Sequence, residues 1–455
     1  MNSMKKILFL LTLVILIAGC ASKRNVKKAA KFEEAGLYQD AAEYYYIAVK
    51  KKASNVDAKL GLRKTGQQTL DKKLTDFSLA YKQSDYQKSV YNYLEAENYY
   101  NKIKGVGVEL SFPEYYKEYY EEAKGDYLNK KYIDGLDKLN REDFSSALTV
   151  FEEIRKIDAN YKDVKEQLII ARYEPMYRDA NQYLDNNLFR KAYYAFDNII
   201  KGTGTYKQSV TLKEVALNKG TITILITDLD FSMYLYKSAS VTITSKLKSQ
   251  LGKSDNPFIK VIDKSAISSS IYENGKLSLK AANLAGIKAV FVGEINKATE
   301  TKGKPKRTEK RGYIKEIKKV KNEKGEEIDK PEYTKTTYYE IETENSASLE
   351  INYKIVSTEN NEILISDLIN ITRRDEMHYA TFSGDKNKLV PGYWKSLDRK
   401  SPEDVIKDNS RDVGNLKDLL NNKQEIKSTS DLLNEAYNQA VQQIYKKVTS
   451  YNPEQ

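Results

Sequence analysis

The chain has 455 residues, with 75 Lys and Arg against 64 Asp and Glu, giving a formal net charge of +11. Its length holds about two to four domains of roughly 100–200 residues, and a 40% hydrophobic share with 36 Tyr excludes wholesale disorder. One Cys and one His exclude a disulfide framework, a Cys/His structural zinc site and any His-based triad that omits His378.

Met1–Lys6 is short and basic, Ile7–Ile17 is apolar, and Ala18-Gly19-Cys20 follows, the three regions of a signal peptide. An apolar core of about eleven residues falls short of the roughly twenty that a membrane span needs. Leu16, Ile17, Ala18 and Gly19 before Cys20 resemble the bacterial lipobox. The resemblance implies removal of residues 1–19 and lipidation of Cys20, with 20–24 as a linker and acyl chains such as palmitate as the anchor. An ordinary signal peptide with an incidental Cys is the alternative. Several acyl chains on one residue anchor durably. Ala21 stands where the family's inner-membrane retention signal has Asp, so the expected address is the outer membrane, facing the periplasm, with the surface leaflet left open.

Export removes nucleic acid from the expected partners, and only 13 of the 75 basic residues are Arg, the side chain favoured for base and phosphate forks. Without Lys5 and Lys6 the balance is +9. Lipid phosphates or acidic polymers suit such a surface; a solvated Lys-rich face with no specific partner suits it equally.

Residues 25–217 are rich in Ala, Tyr, Lys, Glu and Leu, with helical spacing throughout. One pattern recurs four times: a small residue, an aromatic nine later, a small residue three on, and an aromatic four beyond. The copies are Ala29, Tyr38, Ala41, Tyr45; Phe77 (a poor start), Tyr86, Ser89, Tyr93; Gly135, Phe144, Ala147, Phe151; and Ala180, Phe189, Ala192, Phe196. Small residues let two helices approach while aromatics fill the space to the next hairpin. Gly36-Leu37-Tyr38-Gln39-Asp40-Ala41 resembles the turn of the tetratricopeptide repeat, which implies a helical array binding other proteins through a groove. The copies lie about 48, 58 and 45 residues apart against the family's 34, so either intervening repeats have degenerated or the helices are long. The runs Tyr44-Tyr45-Tyr46 and Tyr115–Tyr120 are read as helix packing, with glycan or peptide contact as the alternative.

After Gly220 the text turns to α/β. Thr221–Thr227 reads as a strand. Ile243, Leu247 and Leu251 read as a helix, although Val241–Thr244 also suits a strand. Phe258–Ile262 is a short strand, Leu277–Ala285 a helix, and Ala289–Val292 a buried strand closed by Gly293. Ala347–Ser357 and Glu362–Ile371 are longer strands, and residues 430–451 carry Leu433, Tyr437, Ala440, Ile444 and Val448 on one helical stripe. The expected class is therefore α followed by α/β.

Three phrases in order resemble the CsgG-like domain of curli-secretion and penicillin-binding-protein-activating lipoproteins. They are Phe258–Ile267, Ala285–Ile295, and Ser348–Val356 with Asn361-Glu362-Ile363-Leu364. Lys264 and Asn361 depart from the family's usual Arg and Gly. The resemblance implies a CsgG-like domain over 218–455, self-association through it, and insertions at 297–345 and 373–428 where the curli channel places membrane hairpins. Lys297–Tyr338 carries 14 basic and 8 acidic residues. A Lys or Arg on a lipid-facing strand costs about 2–4 kcal/mol at the midplane, so the expectation is a mobile hairpin or partner-binding arm without a pore; a disordered charged loop is the alternative.

His378 reads as a surface His, and Asp228 with Asp230 as turn caps, with a cation site as the lesser reading. Trp394 with Lys315, Lys318 and Lys319 is the candidate interface, although Trp394 equally suits a local plug. No catalytic residue, metal site or cofactor is expected. The expected function is a membrane-anchored scaffold or adaptor that binds other envelope proteins, an accessory of secretion or surface-structure assembly. Activation of peptidoglycan synthases is the alternative, and a carboxylate-dependent glycan hydrolase the lesser one.

Overall fold

The computed structural model describes residues 21–263, 267, 271–273 and 276–454, so Cys20 and the lipobox residues Leu16, Ile17, Ala18 and Gly19 lie outside the described residues. A helical array is followed by a mixed-sheet domain. Contacts divide the chain into two compact units. Ala195–Ser209 joins the chain up to Asn181 in one, and Gln182–Tyr194 joins the chain from Val210 onward in the other.

The array starts with α1, residues 21–34. It continues with α2 (Tyr38–Lys51), α3 (Val56–Lys82), α4 (Tyr86–Lys104), α5 (Tyr115–Asn140), α6 (Phe144–Ile157), α7 (Val164–Asp185) and α8 (Phe189–Thr203). The four sequence copies begin α2, α4, α6 and α8, the second helices of four successive hairpins. The wide spacing comes from long first helices: α3, α5 and α7 have 27, 26 and 22 residues. No further hairpin intervenes among the described residues.

Each hairpin turns through one left-handed residue two positions before the aromatic: Gly36, Ser84, Glu142 and Asn187, with φ of 73°, 56°, 60° and 58°. That backbone reverses the chain tightly, and only Gly36 adopts it without a Cβ penalty. The small and second aromatic positions are buried: Ala41, Tyr45, Ser89, Tyr93, Ala147, Phe151, Ala192 and Phe196. The first aromatics are a correction. Tyr38 is exposed, and Tyr86, Phe144 and Phe189 are half-buried at helix starts, with Tyr86 still packed against the core around Phe77 and Phe151.

Beyond Ser209 the second unit continues with α9 (Ser209–Gly220). Then come β1 (Ile222–Ile226), β2 (Asp230–Phe231), α10 (Lys237–Leu251), β3 (Ile259–Ile262), β4 (Tyr272–Glu273), β5 (Lys276–Leu277) and α11 (Leu279–Leu284). Long strands follow: β6 (Ala289–Thr301), β7 (Lys306–Lys321), β8 (Glu327–Ser357) and β9 (Ile363–Thr381). The chain closes with β10 (Leu389–Tyr393), β11 (Val405–Ile406), α12 (Ser410–Asn421) and α13 (Thr429–Ser450). β1 pairs in parallel with β3 and β6, whereas β6, β7 and β9 all pair antiparallel with β8. α10 and α13 bury one face through Ile243, Leu247, Ala440 and Ile444 over Phe291, Ile351 and Tyr353. α11 covers Leu225 and Val290 on the other face.

Several sequence boundaries are revised. Val241–Thr244 follows the helical reading and not its strand alternative, lying in α10, where Ile243 and Leu247 face the sheet. Gly293 does not end its strand. β6 runs through it because the backbone of β8 lies against it, and a Cβ there would sit 2.4 Å from the Asn352 carbonyl. The charged insertion 297–345 is ordered as strand and not as a disordered loop: it holds the end of β6, all of β7 and the first part of β8, so the expected hairpin is the β7–β8 pair. Its charges alternate with β-branched and aromatic residues and pair across the strands, as Lys306 does with Glu342 at 2.8 Å. Insertion 373–428 extends β9 and adds β10, β11 and α12.

Candidate interaction site

The repeat produces a repeated cleft. In the helical unit the start of α2 faces the long helix α3, and the start of α4 faces α5. The first cleft, about 460 Å³, is lined by Leu37, Tyr38, Gln39, Thr69, Lys72 and Lys73, among others. The second, about 360 Å³, occupies the equivalent place one hairpin on, between Ser84–Gln87 and Asp126, Tyr127, Lys130, Lys131 and Asp134 of α5. Both set paired lysines beside an aromatic that opens a helix.

Carboxylates hold some of the lining side chains in place. Glu153 accepts from Tyr91 Oη at 2.9 Å, from Lys131 Nζ at 2.8 Å and from Tyr127. Burial pushes its carboxyl up, but these donors outweigh burial and hold it below the ordinary value. At the first cleft Lys73 pairs with Glu95 and lies 5.9 Å from the Tyr99 ring. Behind it, burial and the Glu33 carboxylate push Tyr45 up to about 12. Of the four second helices, α4 and α6 carry their own caps, Asp85 accepting from Lys88 N and Asp143 from Ser146 N. α2 has Leu37 at that position and no side-chain cap.

The tyrosine runs divide by face. Tyr44 stacks on Phe32 at 5.3 Å and Tyr45 is buried. Tyr120 stacks on Tyr93 at 4.0 Å, but Tyr115 and Tyr119 remain exposed.

The interface expected around Trp394 is corrected. The indole is only 7% exposed, and its Nε1 donates to the carbonyls of Gly312 at 3.1 Å and Thr336 at 3.3 Å. Arg311 lies 4.9 Å from the ring and donates to the Trp394 carbonyl. Trp394 is thus a plug that seats the 394–408 segment on β7 and β8. Lys335 fastens the same segment, pairing with Asp404 at 2.8 Å with both side chains largely buried. The lysines are also engaged: Lys315 with Asp408 at 2.6 Å, Lys318 with Glu332, and Lys319 with Glu327 at 3.7 Å. A lysine already neutralised by a cross-strand partner presents little free charge to another molecule.

His378 is a half-exposed residue of β9, 3.5 Å from Glu340. Asp228 and Asp230 are both exposed. Sequence reasoning missed the Glu153 cluster, because Tyr91, Tyr127 and Lys131 reach it from two other helices and no local spacing links them.

No protein-family model matches the chain, and no curated protein matches it. Among solved structures, a hypothetical protein from Chlamydia trachomatis is similar at 11% identity, over 51% of this chain and 99% of that one, with a TM-score of 0.24. A likeness at that score carries no argument.

Proposed function

We propose that the protein is an adaptor, anchored to the outer membrane through Cys20, whose tetratricopeptide-like helices hold an extended segment of another envelope protein. The observation that carries this reading is the recurrence of one cleft at the same place in successive hairpins. Clefts repeated along an array suit a ligand that is itself extended, since side chains of one segment can enter them in turn. In this reading the sheet unit is a CsgG-like domain that supplies a second contact or self-association.

The β7–β8 hairpin supports a role without a pore. Lys306, Lys310 and Lys318 lie on one of its faces, and Arg307, Arg311 and Lys319 on the other, so neither offers an apolar band. Among the described residues no helix is long and apolar enough to cross a membrane.

Photo-crosslinking from Tyr38 and Tyr86 in intact cells tests the reading. The expected result is one shared partner captured from both sites, absent when the crosslinker replaces the exposed Val241 of the other unit. Different partners at the two sites, or none, overturn it. Palmitate labelling of the wild type but not of Cys20→Ser tests the anchor.

A further inference from the structure

The first turn of α8 holds a carboxylate that comes from the far end of the chain. Leu188 precedes this helix, and its carbonyl takes the first helical bond from Ala192 N at 2.9 Å. The amides of Arg190 and Lys191 are therefore left over at the helix start, and Leu188 has no side-chain acceptor to give them. Glu454 supplies it: Oε1 accepts from Arg190 N at 2.5 Å and Oε2 from Lys191 N at 3.1 Å. Asn452 turns the tail into place by accepting the Glu454 amide at 3.1 Å.

Arg190 itself is the second observation. Its side chain is 6% exposed and lies 5.0 Å from the ring of Phe258. One nitrogen, Nη1, donates to the Tyr451 carbonyl at 2.6 Å. Nε and Nη2 are buried with no hydrogen-bond partner. A guanidinium with two unused donors, beside a helix start, is a receptor for a planar anion that takes two hydrogen bonds at once. The tail satisfies the backbone half of this receptor and leaves the side-chain half unfilled.

We propose that the start of α8 is a carboxylate-binding site, filled in cis by Glu454 and open to the carboxylate of an acidic peptide segment when the tail withdraws. The tail is suited to withdrawing. Residues 451–454 are outside any helix or strand, and they hold the site through two contacts, the Glu454 carboxylate and the Tyr451 carbonyl. A competing carboxylate gains the same two amides and can reach the spare donors of Arg190. This inference does not depend on the adaptor reading, because the site lies on the tip of the fourth hairpin and not in the repeated clefts.

Amide hydrogen exchange on the full-length protein tests it. In Glu454→Gln the amides of Arg190 and Lys191 are expected to exchange about tenfold faster, the loss of one cap-sized interaction, while Ile351 and Tyr353 in β8 are unchanged. A free peptide of residues 449–455 then restores slow exchange in that variant, and the same peptide with Gln in place of Glu454 does not. Equal exchange in wild type and variant overturns the site, and failure of the acidic peptide to slow exchange overturns the receptor. If Glu454→Gln also loosens Ile351 and Tyr353, Asn452→Ala decides. It keeps the carboxylate but frees the turn, so intermediate exchange at Arg190 and Lys191 supports the site and wild-type exchange overturns it.

Discussion

The two units bury their aromatic residues by different means. In the helical unit a ring lies in a notch left by a glycine on a neighbouring helix: Tyr45 over Gly61, Phe151 over Gly135, Tyr173 over Gly202. Each fit involves two helices and can be lost without touching the next. In the sheet unit Tyr353 stacks on Phe291 at 5.5 Å, and its strand, β8, is shared by β6, β7 and β9. Damage to a repeat is local, whereas damage to β8 reaches every strand that leans on it.

The largest expected effect follows from that contrast. Tyr353→Ala removes a side chain that is 1% exposed and costs about 3–5 kcal/mol. Scanning calorimetry should show the sheet unit's transition moving down as a whole while the helical transition stays in place. Phe151→Ala removes a similar volume from the array, and hydrogen exchange should rise in α5 and α6 but not in α2. A uniform rise across the array would mean that the hairpins are not energetically separable.

A smaller effect is expected at Glu153. Replacing it by Gln weakens bonds from two tyrosines and a lysine, at a cost of about 1 kcal/mol at neutral pH. Because the folded carboxyl lies below its ordinary value of 4.5, its contribution is full above that value and fades as pH falls through the folded pKa. Denaturation of wild type and Glu153→Gln should therefore converge in acid. A difference that grows in acid would reverse the assignment. Smallest of all, Lys318→Ala breaks an exposed pair with Glu332 and should leave the midpoint of chemical denaturation essentially unmoved. A clear fall in that midpoint would show that the charged ladder holds the outer hairpin together.

How much was legible in the sequence differs between the units for the same reason. Helical hairpins are local, so a spacing of nine, three and four residues located the starts of four helices. The clefts themselves leave no such mark: Tyr38, at a packing position of the pattern, lines a cleft wall. Strand existence was legible from the β-branched runs, but strand length was not. Residues 327–346 alternate charged with β-branched and aromatic side chains, and nothing local reveals that β7 lies alongside to neutralise them. The same long-range pairing hid the partners of Lys315, Lys318 and Lys319. Trp394 offered no local sign of the two carbonyls, Gly312 and Thr336, that hold its indole.

The position of β8 also bears on how the chain folds. Its pairings with β7 and β9 are hairpins closed by short connections, so they need little loop entropy and can form early. The pairing with β6 encloses the β7 hairpin alone, joining residues such as Ile295 and Ile351 across the length of the β7 excursion. The parallel pairs of β1 with β3 and β6 instead require the crossovers through α10 and α11. The antiparallel group around β8, with β9 along one edge and β6 and β7 end to end along the other, is thus built from strands adjacent in the chain, and β1, β3 and α13 complete the sheet unit.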